Sequence, residues 1–201
     1  MRRNIVLGAA LVLTLAGSAS PAAASTRPRD QQLAARIAPT AADLGAGYRR
    51  ESPAQVHAKG LACPAGSTGC AWRFFALPSD PPGIAGAVAA ADVFATAAAA
   101  RSAYETALQN LRRTRHAGAA GARETISLRS EAHRSAGGVP ATLLVFRVTA
   151  TGGAPFDESY RVIVLLDGRA EVSVSFKLGR TVAFAATARR LAARLRPVGK
   201  P

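Results

Sequence analysis

From residue 71 onward the apolar positions alternate between a period of two and a period near 3.6, and each switch marks a new element. Residues 71–77 (A-W-R-F-F-A-L) have strand composition, with Trp72, Phe74 and Ala76 on one face. A loop rich in Pro, Ser, Asp and Gly follows at 78–83. Residues 86–94 then read as a strand with Val88, Ala90, Asp92 and Phe94 on one face. Asp92 breaks that apolar face and calls for a strand end or an arginine partner. Residues 97–115 take the helical period, with Ala100, Tyr104, Ala107, Leu108 and Leu111 on one side. Thr96 is placed to cap the start of this helix. Arg112, Arg113, Arg115 and His116 complement its negative end.

The last third is the most regular. Residues 124–131 alternate, with Ile126 and Leu128 on one face, and 141–150 form a strand rich in Leu, Val and Phe. Residues 159–166 and 169–177 flank Asp167-Gly168, a hairpin signal with a type I′ turn. In the second arm Ala170, Val172, Val174 and Phe176 face inward, and Arg169, Glu171, Ser173, Ser175 and Lys177 face water. Residues 181–195 are helical, with Phe184, Ala188, Leu191 and Leu195 as the buried stripe, and Pro197 ends the helix. Signals before residue 71 are weaker. Asp30 caps a short helix over 31–37 that Pro39 stops, and Thr40 caps a turn over 41–44 that Gly45 and Gly47 end. A short strand is placed near Val56. Strands outnumber helices and join by short turns. The expectation is therefore one α+β domain over 40–197, with an antiparallel sheet of about five to seven strands covered by helices. A flexible leader and short helix occupy 25–39, and 198–201 form a tail.

Length and composition fit this reading. A chain of 201 residues suits one domain, and 49% hydrophobic with 19% charged residues excludes a disordered polymer. Much of the hydrophobic fraction is Ala, so the core depends on Val, Leu, Ile, Phe, Tyr and Trp. Residues 1–24 have the three parts of a secretory signal: Arg2 and Arg3, an apolar stretch over 5–17, and Ala22-Ala23-Ala24. Cleavage is expected after Ala24. The two arginines leave the general and twin-arginine routes both open. In Leu15-Ala16-Gly17-Ser18 a serine stands where a lipobox has its cysteine, so no lipid is expected. No apolar run reaches the roughly 18 residues that span a bilayer. The expected location is extracellular, secreted, with no transmembrane anchor in the mature form.

Two cysteines exclude a disulfide-dense miniprotein and a four-cysteine zinc site. Cys63 and Cys70 close a loop of turn residues, which in an exported protein reads as a structural disulfide. Their spacing is not C-x-x-C, and no histidine stands nearby at ligand spacing. The net charge is +14, carried by 23 Arg and 3 Lys. A genome that favours arginine codons accounts for it as solubility. Attraction to an anionic envelope polymer or to lipid headgroups is the functional alternative. Nucleic acid is not expected as a partner, because the aromatics occupy core-like positions instead of interleaving with arginine.

Thr40-Ala-Ala-Asp-Leu-Gly-Ala-Gly-Tyr48 resembles an entry motif of actinobacterial exported proteins, and Val93-Phe94-Ala-Thr-Ala-Ala-Ala-Ala100 resembles their strand-to-helix junction. With the tail from Asp167-Gly168 to Leu195, residues 41–197 resemble the extracellular sensor-like domains of actinobacterial serine/threonine kinases and related lipoproteins. That resemblance implies a PsbP-like sheet-and-helix fold and ligand sensing or envelope binding. It carries over no catalytic residue. Gly45 stands where the motif usually has Pro, and one Cys pair stands where kinase sensor domains often have two.

A search for chemistry yields no catalytic set, no metal site and no cofactor motif. His57, His116 and His133 lie in separate segments without metal-ligand spacing and read as surface residues. Ala65-Gly66-Ser67-Thr68-Gly69 lacks the first glycine of a nucleophile elbow and sits inside the Cys loop. Asp157 and Glu158 are adjacent on a strand and point to opposite faces, so they do not converge as an acid/base pair. The function expected is a non-catalytic, sensor-like exported domain. It binds an envelope component or small apolar ligand near Trp72, Phe74 and Tyr104. The alternatives are a secreted module that binds another exported protein and a secreted enzyme with an unrecognised site. Oligomeric state is left open.

Overall fold

The computed structural model describes residues 26–55, 63–80, 85–113, 115–117, 123–151, 156–177 and 184–199. In chain order the elements are α1 (Pro28–Ile37), α2 (Ala41–Leu44), β1 (Arg49–Glu51), β2 (Ser67–Ala76), β3 (Ala87–Phe94), α3 (Ala97–Arg112), β4 (Arg115–Ala117), β5 (Arg123–Ala136), β6 (Val139–Thr151), β7 (Phe156–Asp167), β8 (Ala170–Lys177) and α4 (Phe184–Gly199). The strands form one sheet in the order β1-β2-β3-β8-β7-β6-β5-β4, with every neighbouring pair antiparallel. This is an α+β fold, with six long strands and a three-residue strand at each edge. Among the described residues no helix is long and apolar enough to cross a membrane.

One face of the sheet packs against α1, α2 and α4. Phe75, Val93, Ile163, Leu165, Val172, Val174 and Phe176 meet Ala34, Ile37, Leu44, Leu191 and Leu195 there. The apolar stripe expected on the last helix is the one that packs, with Phe184 at its half-buried start. Ion pairs fix these helices at the edge of the core. Arg169 bonds buried Asp30 at 2.8 Å, and Arg194 bonds buried Asp43 at 2.7 Å. Asp43 also accepts from the Thr40 amide at 2.6 Å, completing the capping box of α2. Arg73 reaches from β2 to the carbonyl oxygens of Ala35, Ala38 and Pro39 and so satisfies the end of α1. The start of α1 lies against Gly69, where a Cβ would stand 2.4 Å from the Asp30 carbonyl.

The second face is covered by α3, which packs on β3, β8, β7 and β5. Its 16 residues span about 24 Å, enough to cross the roughly 19 Å from β3 to β5. Thr96 caps the helix as expected, accepting from the Ala99 amide at 3.1 Å. This placement corrects the outward assignment of Glu171, Ser173 and Ser175. They are 7%, 2% and 2% exposed, because the face they occupy is roofed instead of wet.

Other expectations shift in detail. The helix over 97–115 ends at Arg112, and Arg115–Ala117 form β4 against β5. Strand β2 begins four residues earlier than expected, inside the Cys loop. The β7–β8 turn centres on Gly168 and Arg169, one residue beyond the expected pair, with Gly168 at φ 56°. Pro197 lies within α4, where a proline near the end forfeits one hydrogen bond and leaves the earlier turns intact. The expected signal segment, the strand near Val56, and His57 lie outside the described residues.

Candidate functional site

Strand register places the polar groups of the second face in rows that run across the sheet. The first row is Cys70, Asp92 and Glu171, from β2, β3 and β8. The next is Trp72, Ala90, Ser173, Val164, Thr142 and His133. The third is Phe74, Val88, Ser175, Val162, Leu144 and Glu131. Polar side chains thus cluster on β3 and β8 under the first half of α3. Toward β6 and β7 the same face becomes apolar, with Leu144, Phe146, Val148, Val162 and Val164 packed against Leu108 and Leu111.

Asp92 and Glu171 face each other across adjacent strands and are 5% and 7% exposed. Burial pushes the Glu171 carboxyl up to about 7. Burial, and then the charge of Glu171, hold Asp92 well above the usual carboxylate range. Two neighbouring carboxylates without a counter-charge cannot both ionise at neutral pH, so the pair retains a proton. Of the two arrangements expected for Asp92, a strand end or an arginine partner, the second does not occur among the described residues; Asp92 meets a second acid. Among the described residues Asp92 Oδ1, Ser175 Oγ and Trp72 Nε1 on this face are buried without a hydrogen-bond partner. Such groups cost free energy when left unmatched, which singles out this region from the rest of the sheet.

A chain of polar contacts ties α3 down over β6 and β5. The Tyr104 hydroxyl bonds Thr142 Oγ1, and His133 Nδ1 lies 3.1 Å from the same oxygen. His133 Nε2 stands 3.0 Å from Glu131, which accepts two bonds from Arg112 at 2.7 and 2.9 Å. The Arg112 bond holds Glu131 below its ordinary value. Burial raises the Tyr104 hydroxyl, and the charge of Glu171 adds to that rise. The helix is therefore capped at its start, bonded at its middle and clamped at its end.

The three residues expected to form a ligand pocket all belong to this side of the sheet, but they do not converge. Phe74 is fully buried. Trp72 is half-buried on β2, and the Tyr104 hydroxyl sits over β6, four strands or about 19 Å away. The sequence reading missed Glu171, Ser173, Ser175 and Thr142. The one signal that pointed here was Asp92 on an apolar face. Cys63 and Cys70 form the expected disulfide, with Cα atoms 5.6 Å apart, and Cys70 stands beside Asp92. Asp157 pairs with Arg147, and Glu158 with Lys177 and the Tyr160 hydroxyl, so these adjacent acids do diverge. His133 is exposed. Among the described residues no three His, Cys, Asp or Glu stand together to hold a metal ion. A shallow hollow of about 370 Å³ borders Ala97, Ala98, Arg101, Ser102 and Glu105 on the outer side of α3, and all five are exposed.

No family model matches the chain, and no curated protein matches it by sequence. Among solved structures the fold is similar to the extracellular domain of PknH from Mycobacterium tuberculosis. The TM-score is 0.51 at 12% identity, over 86% of this chain and 97% of that one. At that identity the likeness establishes a shared fold and leaves the chemistry of the site to this chain's own residues.

Proposed function

We propose that this chain is an exported, non-catalytic binding domain of the sensor type, which takes a small ligand between the second face of its sheet and α3. The observation that carries the reading is the set of buried atoms without a hydrogen-bond partner, Asp92 Oδ1, Trp72 Nε1 and Ser175 Oγ, on the face that also buries Glu171. Buried polar groups in folded proteins are paired, and a ligand is one source of the missing partners. The polar floor favours a polar ligand over the small apolar one expected from Trp72 and Phe74. Two further observations support the reading. The fold is shared with an extracellular domain, and the Cys63–Cys70 disulfide suits an oxidising compartment. Among the described residues no histidine, thiol or hydroxyl hydrogen-bonds to either acid of the pair. The excess of basic over acidic residues, which remains after removal of Arg2 and Arg3 with the signal segment, would concentrate the domain near an anionic envelope polymer or lipid, leaving the ligand site free.

Native mass spectrometry of the protein secreted by its own host tests this. An adduct of a few hundred daltons that leaves on activation, and that Ser173→Leu abolishes, is the expected result. A bare protein at every ligand concentration offered from host filtrate would refute it. The same spectrum reports the mass after cleavage at Ala24 and the absence of lipid.

A further inference from the structure

Acidic groups in this chain are generally matched. Among the described residues Asp30 pairs with Arg169, Asp43 with Arg194, Glu131 with Arg112, Asp157 with Arg147 and Glu158 with Lys177. The chain carries 26 basic residues against 12 acidic ones, so a cation is seldom scarce. Yet no lysine or arginine among the described residues bonds Asp92 or Glu171, two of the most deeply buried acids. Separately, Ser175 lies on the same face of β8 as Glu171, 2% exposed, with its hydroxyl unmatched. The Trp72 ring stands diagonally across from Asp92, with its N–H likewise unmatched.

We propose that Asp92 and Glu171 seat the cationic group of a small organic amine. This deepens the binding reading above and rests on it. An ammonium supplies the counter-charge that the fold withholds from the pair, and its N–H groups satisfy Asp92 Oδ1. The indole face of Trp72 favours a cation beside it. Ser173, two residues and about 7 Å along β8, offers a hydroxyl to the polar end of the same molecule. A metal ion suits the place less well, since two carboxylates fall short of the six to eight oxygen ligands of calcium. Binding breaks no covalent bond. The singly protonated pair accepts the monocation without releasing a proton.

The test is an amide NMR titration of the full-length mature protein with D-glucosamine and 1,4-diaminobutane. Each is set against its neutral counterpart, D-glucose and 1,4-butanediol. The expected result is that the amines move amides of β3, β8 and α3, and that the neutral molecules bind at least tenfold more weakly. The double variant D92N/E171Q, which keeps shape and removes charge, should weaken the amines at least tenfold. Glu171→Gln alone makes the same comparison if the double variant does not fold. Equal binding of amines and neutral counterparts, or a charge-free variant with unchanged affinity, overturns the cation assignment while the binding reading stands. Probes that move no amide of β3, β8 or α3 overturn both.

Discussion

Replacing Glu171 with glutamine should make the protein more stable at pH 8 and leave it almost unchanged at pH 4.5. The Glu171 carboxyl is raised from 4.5 to about 7 by burial. The folded chain therefore keeps a proton that the unfolded chain releases throughout that interval. Stability is fully present below 4.5 and is lost as pH rises through 7. A rise of this size is worth about 3 kcal/mol. Asp92 from β3 and Tyr104 from α3 are the titratable groups that face Glu171, and both are raised, so neither reverses the sign. Asp30 and Glu131 are lowered by arginine partners. Their contributions fall away only as pH drops below the usual carboxylate range, outside the window. The assay is urea unfolding followed by fluorescence of Trp72, the single tryptophan, from pH 4.5 to 8.5. The wild type should lose about 3 kcal/mol or more across the window, because the folded chain keeps protons that the unfolded chain has released. Glu171→Gln should retain about that much more stability at pH 8. A flat wild-type profile, or a variant equally destabilised at both ends, would refute the claim that this carboxyl is buried without a counter-charge.

Other consequences are more local. Gly69→Ala should cost about 1–3 kcal/mol in urea unfolding, because the added Cβ meets the backbone of Asp30 and pushes α1 from the sheet. Replacing Cys63 and Cys70 with serine should lower stability by about 2.5 kcal/mol, the loop-closure value for so short a loop. Thr96→Ala should cost about 1 kcal/mol by removing the cap of α3. Arg112→Ala should speed hydrogen exchange in the last turn of α3 and leave α1 and α4 unchanged, since the Glu131 clamp acts only on that end.

What the sequence discloses and what it withholds divide along one physical line. Period-two alternation sorts Ala170, Val172, Val174 and Phe176 from Glu171, Ser173 and Ser175, and that sorting is correct. It does not say whether the polar set meets water or a helix. The answer depends on α3 packing across strands far from it in sequence, which no local pattern encodes. Asp92 was conspicuous on its own strand, but its neighbour Glu171 lies on a strand that joins β3 only through the sheet order. Local devices read well for the opposite reason. The Thr96 cap, the Thr40 box, the Cys63–Cys70 link and the β7–β8 hairpin each depend on residues a few positions apart. The helical pattern over 97–115 runs past the true end at Arg112 because Arg115 and His116 suit a helix end as well as an edge strand.

The central claim is that the roofed polar face, and not the apolar face beneath α1 and α4, receives the ligand. Hydrogen-exchange mass spectrometry with and without the small-molecule filtrate of the host culture tests it directly. Slower exchange is expected in peptides covering β3, β8 and α3, lost in D92N/E171Q. Protection confined to α1, α2 and α4, or no protection anywhere, would contradict it.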